Sequence, residues 1–138
     1  MIYVVIQFGA ILFLIINAEF STLGMLSIIC LLISGVLGVR ALIDMRPSNL
    51  NITPTLKDHH HLVTTGIYAY IRHPMYTSVI LFCLGLLLSN NNGVAQLAML
   101  VLIIDLWFKS EREEQLLTQR FSSYQNYQKR SGKFLPFL

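Results

Sequence analysis

The residues best suited to chemistry fall in two short polar clusters, Tyr68-Ala69-Tyr70-Ile71-Arg72-His73-Pro74-Met75-Tyr76 and Lys109-Ser110-Glu111-Arg112-Glu113-Glu114. Pro74 suits the first position of a helix, where its missing N–H costs nothing. The free N–H groups of such a first turn attract a carboxylate or another anion, and Arg72 and His73 would add to that pull. The same residues also read as a basic anchor with interfacial tyrosines at a membrane boundary. In the second cluster a carboxylate can hold a cation or sugar hydroxyls, or its acids can simply pair along a solvated helix with Lys109 and Arg112. Asp105 sits one turn before Lys109 and is read as its i,i+4 partner rather than as a proton relay. His59-His60-His61 has the look of a metal tract, yet three adjacent residues cannot all converge on one ion and only Asp58 stands nearby, so no metal is expected. None of the GxGxxG, P-loop, zinc or Gly-x-Ser-x-Gly patterns occurs.

The elements that must position these clusters are set by composition. Of the 138 residues 54% are hydrophobic and only 12% charged, with a mean hydropathy of +0.60. A soluble domain carries about 25% charge, so a membrane protein is expected. The chain is also too short for a transmembrane bundle plus a separate catalytic domain of ordinary size, which puts any chemistry at the membrane. Cys30 and Cys83 lie in apolar stretches without CxxC spacing and read as buried small hydrophobes.

Charge-free runs place the spans. Met1 to Ala18 and Phe20 to Val39 give two, and the stretch from His73 to Ile104 is broken at Ser89-Asn90-Asn91-Asn92-Gly93, a turn composition that makes it a hairpin of two arms, Pro74 to Leu88 and Val94 to Phe108. Each arm is about 22 Å long, short for a full crossing. The expected fold is therefore all-α and integral to the membrane. It has four transmembrane helices, the last two a short hairpin, and a C-terminal amphipathic cytoplasmic helix with a helical spacing at Leu117, Phe121, Tyr124 and Gln128, Leu116 alongside, ended by Gly132 and Pro136. Within a single domain over 1–138, residues 1–43 hold two N-terminal spans and 44–73 a cytoplasmic loop. Residues 74–108 form the hairpin and 109–138 the cytoplasmic C-terminal segment. A cleaved signal peptide is disfavoured by the absence of a basic leading region. All ten Lys and Arg residues lie between spans two and three or after span four. The positive-inside rule makes that side the cytoplasm and puts both termini there. The hairpin returns the chain to the side it left, so the two polar clusters can meet as one composite site.

The segment His61-Leu62-Val63-Thr64-Thr65-Gly66-Ile67-Tyr68, the box Arg72-His73-Pro74-Met75-Tyr76, the pair Glu113-Glu114 and the stretch Phe121-Ser122-Ser123-Tyr124-Gln125-Asn126-Tyr127 together resemble the isoprenylcysteine carboxyl methyltransferase family, whose layout the phospholipid methyltransferases share. The resemblance covers roughly residues 60 to 137. It implies an integral membrane enzyme that transfers a methyl group from S-adenosylmethionine to a lipophilic acceptor entering from the bilayer. It also implies a cofactor pocket formed by His60, His61, Leu62, Val63, Tyr68, His73, Pro74, Met75, Tyr76, Glu113 and Glu114. The family's acceptor-binding arginine falls at Lys109, a point charge that cannot make a guanidinium's bidentate contact, with Arg112 as the substitute. Ser78 and Ser122 stand where many relatives have glycine. The cofactor's carboxylate suits a helix N-terminus flanked by Arg72 and His73, and its sulfonium suits tyrosine faces and a nearby carboxylate. Membrane lipids and a second copy of the chain are further expected partners, and nucleic acid is not.

Two other classes fit the composition. A four-helix transporter or assembly subunit would use the small residues Ser34 and Gly38 for packing, but Gln7 is the only strongly polar residue inside the first two spans, which argues against ion-coupled transport. A nicotinamide-dependent membrane reductase would share the terminal helical layout.

Overall fold

The computed structural model describes residues 1–46, 49 and 61–138. It is all-helical, with no strand among the described residues: α1 (Ile2–Asn17), α2 (Met25–Met45), α3 (Pro74–Ser89), α4 (Gly93–Arg120) and α5 (Tyr124–Arg130). Of these, α2 and α4 are long and apolar enough to cross a membrane, whereas α1 and α3 are apolar but only 16 residues each. The expected hairpin is present, and its second arm differs from expectation. It does not stop at Phe108 but continues unbroken through the charged cluster, a run of helix formers such as Glu, Gln, Leu and Arg.

α3 is the centre of the bundle and packs against α1, α2 and α4. Its neighbours run antiparallel to it or to each other, with Gln7 of α1 beside Lys109 and Asn17 beside Asn92. The core holds Leu14, Cys83, Leu86, Met99, Leu102 and Leu106. Outward residues such as Phe8, Leu12, Leu32, Val36, Leu97 and Leu100 are apolar and exposed, as a lipid-facing surface requires. Both cysteines are free and buried, as composition suggests.

Helices α2 and α3 approach through small residues. Ser34 and Ser78 exchange reciprocal hydroxyl-to-carbonyl bonds of 2.8 Å, and the Ser27 hydroxyl donates to the Gly85 carbonyl at 2.5 Å. The Ser34 and Gly38 spacing thus serves intramolecular packing, as in close helix pairs within membranes. A Cβ on Gly85 would stand 2.9 Å from Leu31 Cγ and 3.1 Å from the Ser27 carbonyl oxygen. Gly85→Val is expected to destabilise the bundle by about 1 to 3 kcal/mol. A lowered melting temperature in detergent checks this, and an unchanged one would contradict the packing.

The Asn-rich turn is a clasp. Asn90 and Asn92 donate to the carbonyl and side-chain oxygen of Asn17 at 2.8 and 3.0 Å, Asn92 also caps α4 through Ala95 N–H, and Ser89 accepts from Glu19 N–H. At the opposite end, Gly66 adopts a φ of +62°, which brings the Asp44 carboxylate close enough to accept from Ile67 N–H at 2.8 Å. A single 3-10 turn, Gly66–Ala69, follows.

The expected single amphipathic C-terminal helix is two pieces. The chain becomes extended at Phe121, and the turn lets Tyr124 and Tyr127 of α5 bury themselves, with the Tyr127 hydroxyl donating to the Tyr68 carbonyl at 2.6 Å. Beyond α5 the tail runs parallel to residues 70–73: Gly132 N–H donates to the Tyr70 carbonyl, Arg72 N–H to the Gly132 carbonyl and His73 N–H to the Lys133 carbonyl, at 2.8 to 3.0 Å.

Candidate active site

Across the hairpin, the start of α3 and the polar part of α4 beyond Phe108 form one charge network. Arg72 Nε donates to Glu114 Oε1 at 2.8 Å, and His73 Nε2 lies 3.0 Å from the same oxygen. Gln128 of α5 donates to Glu114 Oε2 at 2.9 Å. The Arg72 guanidinium also donates to the carbonyls of Gln128 and Ser131, which ties the tail to this centre. His73 Nδ1 stands 3.6 Å from Glu113 Oε2, and the Tyr76 hydroxyl donates to Glu113 Oε1 at 2.5 Å. The rings of His73 and Tyr76 are stacked, 5.4 Å between centroids. The two clusters, more than 30 residues apart in sequence, therefore do meet.

The acids of the second cluster do not pair along their own helix. Glu111 binds Lys133 of the tail, whose ammonium also lies 4.2 Å over the Trp107 ring, and Glu113 and Glu114 reach across to α3. Adjacent carboxylates thereby acquire different characters. Burial pushes the Glu113 carboxyl above the usual range, with His73 pulling it back. Burial acts upward on Glu114 too, but the hydrogen bonds from His73 and Arg72 outweigh it and bring that carboxyl down to about 2. Glu114 is thus a fixed negative charge holding the Arg72 guanidinium and the His73 ring, while Glu113 faces Tyr76.

The pairing of Asp105 with Lys109 requires correction. Lys109 is buried and donates to Gln7 of α1 at 2.8 Å, with its ammonium 5.1 Å from the centroid of the Tyr76 ring. No ion pair joins it to Asp105 among the described residues, and both Asp105 carboxylate oxygens are buried without a hydrogen-bond partner. The Lys109 ammonium gives its hydrogen bond to the Gln7 side-chain oxygen of the neighbouring helix, and Asp105, one turn back, acts on it only through the longer-range attraction of opposite charges.

The other expected site residues fall into three groups. Pro74 is buried at the first turn of α3 and Met75 is half-buried beside it. Tyr68 is buried, with its hydroxyl 3.5 Å from the Ala41 carbonyl of α2. His61 is exposed, its backbone held by the Asn49 side chain at 2.7 and 2.9 Å, followed by half-buried Leu62 and Val63. Arg112 is exposed and takes no part in the network. His60, like His59, lies outside the described residues. Sequence reasoning did not assign Gln7, Gln128 or Lys133 to the site. Only Gln7 carried a signal, as the one strongly polar residue in the interior of the first two apolar stretches.

The network offers fixed negative charge, aromatic faces and a buried ammonium at one end of an apolar bundle, a setting for binding a small cationic or zwitterionic group. The chain is similar over 84 residues, with 38% identity, to the protein-S-isoprenylcysteine O-methyltransferase of Schizosaccharomyces pombe, a match covering 57% of this chain and 34% of that protein. It is 33% identical over 87 residues to protein-S-isoprenylcysteine O-methyltransferase B of Arabidopsis thaliana, covering 59% and 43%. For the Saccharomyces cerevisiae protein-S-isoprenylcysteine O-methyltransferase the identity is 36% over 96 residues, covering 64% and 38%. The chain thus spans well under half the length of the curated relatives it matches. The resemblance read from the motifs holds at family level, since the sequence profile described as phospholipid methyltransferase matches residues 21–124, three quarters of the chain. The chain belongs to the phospholipid methyltransferase family.

Proposed function

We propose that this protein transfers a methyl group from S-adenosylmethionine to a lipophilic acceptor at the membrane. The observation that carries the reading is the meeting of Arg72, His73 and Tyr76 with Glu113 and Glu114 at the polar end of an apolar bundle. The residues fit the methyl donor's cationic end: the Tyr76 ring and the Glu113 carboxylate supply an aromatic face and a negative charge for a sulfonium. Glu114 keeps Arg72 and His73 in place, and Lys109, hydrogen-bonded to Gln7 beside the Tyr76 ring, lies within the field of Glu113. When bound, S-adenosylmethionine supplies an activated methyl group. The protein's part is to orient donor and acceptor in line and to exclude water, with no covalent nucleophile of its own. In this reading Tyr68, Pro74 and Met75, with His60, His61, Leu62 and Val63, complete the cofactor pocket.

In this reading α1 to α4 all span the bilayer, with the Asn-rich clasp outside and the site at the cytoplasmic face. The antiparallel order of the helices and the gathering of basic residues at one end support it. The acceptor, a prenyl-, lipid- or alkyl-bearing molecule with a carboxylate, phenol or amine to be methylated, would enter sideways from the lipid. The relatives' names favour a prenylated thiol acid among these. A second copy of the chain could complete the acceptor's enclosure.

Calorimetric titration with S-adenosylmethionine tests the site assignment. Glu113→Gln is expected to weaken binding by at least about 10-fold, the loss of one charge-assisted contact, while leaving the melting temperature within a few degrees. Unchanged affinity would remove Glu113 from the pocket. Titration with a nicotinamide dinucleotide, expected to show no binding, separates this reading from a reductase.

A further inference from the structure

Gln7 interrupts the apolar interior of α1, where Val5 and Phe8 near it are exposed as on a lipid-facing surface. The Gln7 side chain is itself buried, and an amide in such a place is costly unless bonded. Its oxygen accepts from the Lys109 ammonium at 2.8 Å, the one hydrogen bond of that ammonium among the described residues. Lys109 is 2% exposed, and its ammonium stands 5.1 Å from the centroid of the Tyr76 ring, within the field of Glu113 one turn further along α4. The i,i+4 spacing of Lys109 and Glu113 allows an ion pair, yet none joins them among the described residues.

The Tyr76 ring and Glu113 are the two groups that the proposed function gives to the sulfonium of the methyl donor. They suit a lysine ammonium equally well, a compact cation on a long flexible stem. A cation beside Glu113 favours its ionised form, so ammonium and sulfonium draw on the same charge. The chain thus carries, one turn away, a competitor for its own cofactor site. We propose that Gln7 is a positioning residue that restrains this competitor: it keeps the Lys109 ammonium from closing on the Tyr76 ring and Glu113, and so leaves both to the methyl donor. This rests on the methyltransferase reading and adds to it a residue of α1, outside the residues 21–124 that the family profile matches. Freed from Gln7, the ammonium turns toward the polar mouth and Glu113 rather than toward Asp105, because Asp105 lies deeper in the apolar bundle beside the fully buried Leu102 and Leu106.

The test compares S-adenosylmethionine with S-adenosylhomocysteine, which carries an uncharged thioether in place of the sulfonium. Both are titrated calorimetrically into the full chain in detergent. Gln7→Leu is expected to weaken S-adenosylmethionine binding about 10-fold, the scale of one charge-assisted contact. Binding of S-adenosylhomocysteine should stay within about twofold of wild type, because that ligand brings no positive charge to compete for the ring and the carboxylate. Combining Gln7→Leu with Lys109→Met removes the competitor and should return S-adenosylmethionine affinity to within about twofold of wild type. If the melting temperature shows that Gln7→Leu does not fold, Gln7→Asn, whose amide stops one methylene short of the ammonium, carries the same comparison. An equal loss for both ligands would give Gln7 a packing role alone, and an unchanged affinity for S-adenosylmethionine would mean that it restrains nothing. Either result, or a double variant as weak as Gln7→Leu, overturns the assignment while leaving the methyltransferase reading intact. A wild-type chain that does not bind S-adenosylmethionine overturns that reading itself, and the role of Gln7 with it.

Discussion

Replacing Glu114 with alanine is expected to cost about 3 to 5 kcal/mol of stability, the usual result of removing one partner from a buried, hydrogen-bonded charge cluster. Glu114 is 7% exposed and binds Arg72, His73 and Gln128 at once, so its loss leaves a guanidinium, an imidazole and an amide without their partner. Three elements meet there, α3, α4 and α5, and the tail is tied in through the Arg72 guanidinium. The variant should therefore lose S-adenosylmethionine binding together with the tail's protection from proteolysis, unlike Glu113→Gln, which should lose affinity alone. A double-mutant cycle with Arg72→Ala should be strongly non-additive, by more than about 0.5 kcal/mol; additivity would mean that the pair contributes nothing as a pair. The pH dependence has a definite sign. The folded carboxyl lies at about 2, below its ordinary 4.5. Its contribution is thus fully present above about pH 5 and is lost as the pH falls toward 2.

Gly132→Ala is expected to be the most damaging change in the tail. A Cβ there would stand 1.7 Å from the Leu135 carbonyl oxygen and 2.5 Å from Leu138 N, both backbone atoms that cannot swing aside as a side chain can. The cost should reach the upper part of the range for overpacking, about 2 to 3 kcal/mol. Because Gly132 and Lys133 accept from the N–H groups of Arg72 and His73, and the Thr77 hydroxyl donates to the Phe134 carbonyl at 2.6 Å, displacing the tail should loosen the start of α3 as well. Faster hydrogen exchange at Arg72 and His73 in Gly132→Ala checks this. Exchange faster only beyond residue 131 would show that the tail is a passive cover.

Much of this arrangement was legible in the sequence because apolar runs, turn residues and charges are local signals. The Asn-rich interruption predicts the hairpin, and the hairpin by itself predicts that the two polar clusters meet. What stayed hidden depends on pairing between distant segments. No periodicity announces that the tail pairs with residues 70–73 or that Tyr127 seeks the Tyr68 carbonyl. The charged run beyond Phe108 reads equally as a solvated face or a site, and only the approach of α3 decides which acids turn inward. The Asp105 and Lys109 pair was legible only in part for the same reason: spacing along one helix brings the two charges near enough to attract each other, whereas the hydrogen bond of Lys109 goes to a third group, Gln7 of α1.

If the network centred on Glu113 and Glu114 binds the methyl donor, calorimetric titration of the full chain in lipid nanodiscs with S-adenosylmethionine shows it most directly. The prediction is saturable binding by the wild type, weakened at least about 10-fold in Glu113→Gln and abolished in Glu114→Ala. Absence of binding in the wild type, or equal affinity in all three proteins, would contradict it.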